Sequence, residues 1–99
     1  MVDLTSIVGF DWDEGNARKN ERHGVSAAEA EQVFFNVPLL FSPDAKHSVE
    51  EERFHALGRT HDGRCLHITF TLRADKTLIR VISARDMHRK ERTLYEQAT

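Results

Sequence analysis

A single cysteine, Cys65, stands in the 99 residues of this chain, which excludes an internal disulfide and any zinc site built from several cysteines. It reads as a small, half-buried structural residue. Long apolar runs are missing too. No stretch approaches the roughly 20 residues that a bilayer-spanning helix needs, so neither a membrane span nor a secretory signal is expected, and the location expected is cytosolic. HExxH spacing, a glycine-rich phosphate loop and a GxSxG elbow are all absent, and the carboxylates of "EEER" are consecutive and diverge in direction. The expectation is therefore no metal and no cofactor. Repeats, low-complexity tracts and an interdomain linker are lacking as well, so residues 1–99 read as one domain.

What is present is charge, unevenly spread. Residues 1–52 carry eleven Asp or Glu against four Lys or Arg, and residues 53–99 carry five against ten, so −7 and +5 sum to the net −2. A cationic half suits an anionic substrate or an acidic partner, although surface charge often serves only solubility.

The apolar pattern gives an α+β order of elements. "SIVGFDW" suits a short strand, and Asp13 can cap a helix from about Glu14 to Arg22 that stops at Gly24. Ser26 and Glu29 have capping-box spacing for a second helix whose buried stripe is Ala30, Val33 and Phe34. "PLLFSPD" is a short strand or extended link, and "AKHSVEE" is loop. Three antiparallel strands follow, "ERFHALGRT", "RCLHITFTLRA" and "TLIRVISA". Ser83 and Asp86 again have capping-box spacing, which predicts a last helix running to about Gln97.

Hairpin register decides which residues share a face. A two-residue turn at Asp62-Gly63 would mix core residues with charges. A three-residue loop, His61 to Gly63 with Gly63 left-handed, pairs Phe54 with Phe70 and Ala56 with Ile68 on one face. A turn at "ADKT" then pairs Phe70 with Val81 and Leu72 with Ile79. The other face carries Arg53, His55, Arg59, His67, Thr69, Thr71 and Arg80. Arg53, Thr71 and Arg80 lie abreast, with the two arginine Cα atoms on the order of 10 Å apart, so both guanidiniums can reach one anion. The plainer account is a solvated sheet face.

The last helix adds Arg85, His88, Arg89 and Arg92 at helical spacing, with Met87, Leu94, Tyr95 and Ala98 turned the other way to pack. That stripe is either solvated or the footprint of a phosphate-backbone binder. Asn16, Asn20 and His23 share a face of the first helix. His23 reads either as a group interacting with the helix terminus or as a proton-transfer residue, and its pattern alone favours the former.

"FDWDEGNARKNERHGVSAAEAEQVF", the "ER" before "GRT", and "IRVISARDMHRKERTLY" together resemble the BrnT family of type II toxins, from Phe10 to Tyr95. The resemblance implies a RelE-like fold, with a small antiparallel sheet, two N-terminal helices and one C-terminal helix. It implies RNA cleavage that arrests translation. It also implies inhibition by a cognate BrnA-like antitoxin with a ribbon-helix-helix domain, through which alone the complex would touch DNA. By position it points to His23, Arg53 and Arg80 as catalytic residues, and to Arg85, Arg92 and Tyr95 as substrate-binding ones. The mechanism implied is metal-independent attack of an RNA 2′-hydroxyl on the adjacent phosphate. The chain departs from the family at Asn16, where members usually carry lysine, and at Arg22, where "KHG" is usual. The alternatives from other classes are a non-catalytic module docking an antitoxin or nucleic acid, and a purely structural role.

Overall fold

A computed structural model of the chain describes residues 3–98. A 3-10 turn at Leu4–Ser6 precedes β1 (Gly9–Phe10), α1 (Glu14–Glu21), α2 (Ala27–Val33) and β2 (Leu40–Pro43). A second 3-10 turn at Ala45–His47 leads to β3 (Phe54–Arg59), β4 (Cys65–Arg73), β5 (Leu78–Asp86) and α3 (Arg89–Gln97). The five strands form one sheet in the order β1-β5-β4-β3-β2, antiparallel except where β1 runs parallel to β5.

Both N-terminal helices start where local chemistry dictates. Asp13 accepts from the Asn16 N–H and Asn16 Oδ1 accepts from the Asp13 N–H, satisfying two donors that a helix start leaves open. Ser26 and Glu29 do the same for α2. Gly24, at φ +71°, turns the chain between them, a conformation that only glycine adopts without strain.

The β3–β4 hairpin has the register that the alternation predicts. Phe54 pairs with Phe70 and Ala56 with Ile68. The loop His61–Gly63 is closed by the Thr60 N–H donating to the Arg64 carbonyl, with Gly63 at φ +85°. Phe70 pairs with Val81 and Leu72 with Ile79. One sheet face buries Phe70, Ile68, Leu66, Ile79, Val81 and Ala84 against Val25, Ala30 and Val33, and Phe34 meets Phe70 edge-on at 5.2 Å. Gly58 lets α2 approach closely, since a Cβ there would meet Val33 Cγ1 at 2.6 Å.

Three local expectations are corrected. The first strand is two residues long rather than spanning "SIVGFDW", because α1 takes over the edge of β5. The Asn16 amide donates to the Val81 carbonyl at 3.0 Å, and the Asn20 side-chain oxygen accepts from the Ala84 N–H at 2.9 Å. Secondly, Ser83 and Asp86 do not start a helix. Residues 83–86 stay in the ladder, Thr69 with Ser83 and Leu66 with Asp86, after a bulge that leaves Ile82 without a partner. The bulge restores the inward direction at Ala84, three residues after Val81, and so mimics helical spacing inside a strand. α3 instead begins at Arg89, where the Glu91 carboxylate accepts from the His88 N–H at 2.8 Å. Thirdly, of the residues expected to pack from α3, Tyr95 is buried but Leu94 and Ala98 are exposed. The Tyr95 hydroxyl donates to the Pro38 carbonyl at 2.6 Å. Among the described residues, no helix is long and apolar enough to cross a membrane.

Candidate functional site

The face of the sheet turned away from α2 is polar; α1 borders it along the edge of β5, and α3 covers only part of it. Strand pairing sets Thr71 opposite Arg80, and Arg53 precedes the Phe54–Phe70 pair at the same level. The buried Thr71 hydroxyl donates to the Glu52 carbonyl at 2.6 Å, which fixes the segment carrying Arg53. Lys19, Arg53, Arg73 and Arg80 line one cleft of about 280 Å³ together with Glu51. Lys19 and Arg73 are additions to the sequence reading. Arg73 lies two residues beyond Thr71 and so on the same face. Asn16, whose amide is bound to the strand edge, lines the same cleft, and so does Lys19 a turn further on.

Carboxylates already attend these cations. Arg80 reaches Asp13 at 2.9 Å and Asp11 at 3.5 Å, Arg73 reaches Glu51 at 3.1 Å, and Arg53 stands 4.0 Å from Glu51. Backbone N–H donation from Asn16 and the Arg80 guanidinium hold Asp13 below its ordinary carboxylate range. Partly exposed pairs of this kind contribute at most about 1 kcal/mol, so a phosphate can displace them. The Arg53 Nε is buried with no hydrogen-bond partner among the described residues.

One and two rows further along the same face lies a second depression, an open groove that includes His55, His67, Thr69, Ser83, Arg85 and Glu91. His55 Nε2 stands 3.2 Å from Asp44 Oδ2 and its Nδ1 3.2 Å from the Thr69 hydroxyl. His47 Nδ1 approaches the same Asp44 oxygen at 3.0 Å and Oδ1 at 3.1 Å. The rings of His55 and His67 meet at 4.8 Å, tilted by 43°. Arg85 forks onto Glu91 at 2.8 and 3.0 Å, and His67 Nε2 lies 3.8 Å from Glu91. This cluster was invisible as a unit in the sequence, because Asp44, His55, His67 and Glu91 come from four separate segments.

Burial dominates the titration of His67, and with the Arg85 charge it depresses the imidazole to about 4 against the opposing pull of Glu91. Burial alone would raise Glu91, but the Arg85 fork and the His88 N–H outweigh it and hold the carboxyl down to about 2. Asp44 is likewise net lowered: desolvation pushes it up, while the hydrogen bond from His47 and the two neighbouring imidazoles pull it further down. Both His67 and Glu91 bind protons more readily in the unfolded chain, so acidification destabilises the fold. The His67 contribution is complete above pH 6.5 and is lost as pH falls towards 4; the Glu91 contribution is lost between about 4.5 and 2. The melting temperature is therefore expected to fall from pH 6.5 to 4, and by less in His67→Gln. Equal slopes in parent and variant, measured by thermal denaturation, would refute the assignment to His67.

The remaining candidates divide. Arg53 and Arg80 come together in the cleft, and Arg85 lines the groove. His23 is exposed in the turn that follows α1 and lines neither depression. Arg92 is exposed and paired with Glu96 at 3.3 Å. Tyr95 is buried, and its hydroxyl donates to the Pro38 carbonyl, which ties α3 to the segment before β2.

A model of the family described as "Ribonuclease toxin, BrnT, of type II toxin-antitoxin system" matches residues 12–91. The chain belongs to this family. A ribonuclease toxin acts on RNA and is paired with an antitoxin, and the match spans both the arginine cleft and the histidine groove. A search of the curated proteins finds no match.

Proposed function

We propose that this toxin is a metal-independent endoribonuclease that arrests translation in the cytoplasm and is neutralised by a cognate BrnA-like ribbon-helix-helix antitoxin, through which alone the pair meets DNA. The observation carrying this reading is the cleft in which Arg53, Arg80, Arg73 and Lys19 converge. Arg53 and Arg80, abreast across Thr71, hold the scissile phosphate; Lys19 and Arg73 take flanking phosphates, and Arg85 and Arg92 extend the cationic track along the RNA. Planar guanidiniums grip phosphate oxygens in pairs and stabilise the charge that grows there when the 2′-hydroxyl attacks. The flanking carboxylates keep the arginines extended until RNA displaces them.

Among the described residues, no group of three His, Cys, Asp or Glu is placed to hold a metal ion. Purified toxin is accordingly expected to cleave RNA at an undiminished rate in excess EDTA, leaving cyclic phosphate and 5′-hydroxyl ends. Loss of cleavage that magnesium or zinc restores would overturn the mechanism. In cells, induced expression is expected to arrest growth, and co-expression of the neighbouring small gene to relieve it. The ion pairs already occupying each cleft arginine favour one second reading, a module that binds RNA or its antitoxin without cutting. Tight RNA binding with no cleavage products would select it.

A further inference from the structure

We propose that His55, oriented by Asp44, is the proton-transfer residue of the cleavage site; the inference rests on the placement of the scissile phosphate between Arg53 and Arg80. Alternation along β3 puts His55 on the same face as Arg53, two residues and so about 7 Å further along the strand. An arginine side chain spans that interval, so a phosphate held by Arg53 lies within reach of the imidazole.

Asp44 Oδ2 stands 3.2 Å from Nε2, and its negative charge favours the tautomer that carries the proton there and leaves a lone pair on Nδ1. That lone pair now takes a hydrogen bond from the Thr69 hydroxyl at 3.2 Å, in the wall of the open groove. A substrate 2′-hydroxyl entering the groove replaces the threonine hydroxyl at Nδ1. The Asp44 carboxylate is itself held by the His47 N–H and ring, so the acceptor does not move.

The step balances without a co-reactant. The 2′-oxygen forms a bond to phosphorus as its proton passes to Nδ1, and the bond from phosphorus to the 5′-oxygen breaks. The 5′-oxygen takes a proton from the imidazolium, which restores the neutral ring. The groups facing His55 from the surrounding elements are Asp44 with His47 beside it, the tilted His67 ring, Arg85 and Glu91 across the groove, and Arg53 just before its own strand. His67, depressed to about 4 by burial, adds no competing cation near neutral pH.

The test is steady-state cleavage of a mixed-sequence single-stranded oligoribonucleotide across pH by the parent, His55→Gln, Asp44→Asn and Arg80→Ala. Glutamine keeps an amide donor towards Asp44 but cannot accept the proton. We expect kcat to fall roughly a hundredfold or more with KM within about threefold, and the acidic limb of the pH profile to vanish. In Asp44→Asn we expect kcat to fall roughly tenfold or more with KM within about threefold, because the carboxylate no longer favours the tautomer that accepts at Nδ1. If His55→Gln unfolds at the assay temperature, that loss decides alone, and an unchanged kcat in Asp44→Asn overturns the proposal. A kcat within about threefold of the parent in His55→Gln, with cleavage lost in Arg80→Ala, also overturns it; the arginine reading then stands, and the role returns to His23. Unchanged cleavage in Arg80→Ala as well, or a parent that cleaves nothing, removes both readings.

Discussion

Replacing either Arg53 or Arg80 with alanine is expected to cut RNA cleavage by roughly a hundredfold or more, the equivalent of about 3 kcal/mol of transition-state stabilisation from one lost donor. Folding should survive both changes. Arg53→Ala removes a guanidinium whose Nε is buried without a partner, so the fold loses no satisfied hydrogen bond at that atom. Arg80→Ala leaves Asp11 and Asp13 without their cation, but both carboxylates are partly exposed, and such pairs contribute at most about 1 kcal/mol. Lysine should rescue neither position, because a point charge cannot grip two phosphate oxygens as the planar fork does. The double variant should be little worse than either single one if the two act on one phosphate. Cleavage assays and growth arrest read the effect, with thermal melting as control. Two single variants that melt and cleave like the parent would move the site away from the cleft.

The second large effect concerns stability and lies under the sheet edge. Asn20 is fully buried, and its side-chain oxygen is the acceptor for the Ala84 N–H where β1 has already left β5. Asn20→Ala strands that N–H away from water and opens a small cavity. The expected cost is about 2–3 kcal/mol, or a melting temperature lower by roughly 10–20 °C for a domain of this size. Asn20→Asp keeps an acceptor but buries a charge, and should not recover the loss. A shift of less than about 3 °C in Asn20→Ala would mean that another group or a water satisfies Ala84.

Asn16 and Asn20 mark where residue patterns stopped being informative. Their spacing with His23 gave them a common helix face, and the structure does bury both asparagines against β5 while His23 stays exposed. Periodicity reports which residues share a face, but only the path of the neighbouring strand says what that face meets. The same gap explains Ser83 and Asp86. Their spacing satisfies a capping box, and the helical reading lost because β4 is nine residues long and supplies ladder partners as far as Asp86.

Several parts of the molecule follow from residue order alone. Gly63 permits a left-handed position, and strict alternation of apolar residues penalises any one-residue slip, so the Phe54–Phe70 and Phe70–Val81 pairings, and with them the row of Arg53, Thr71 and Arg80, were legible before any coordinates. The helix starts at Asp13 and Ser26 are local events between residues three apart. What required the tertiary structure depends on meetings between distant segments: Asp44 with His55, His67 with Glu91, Lys19 with the sheet arginines. The first is set by the pairing of β2 with β3, the second by where α3 lies across the sheet and the third by α1 against the edge of β5, and none is encoded in a short window. Local sequence restricts backbone geometry and the direction of each side chain, whereas proximity between remote charges emerges only when the whole core has packed.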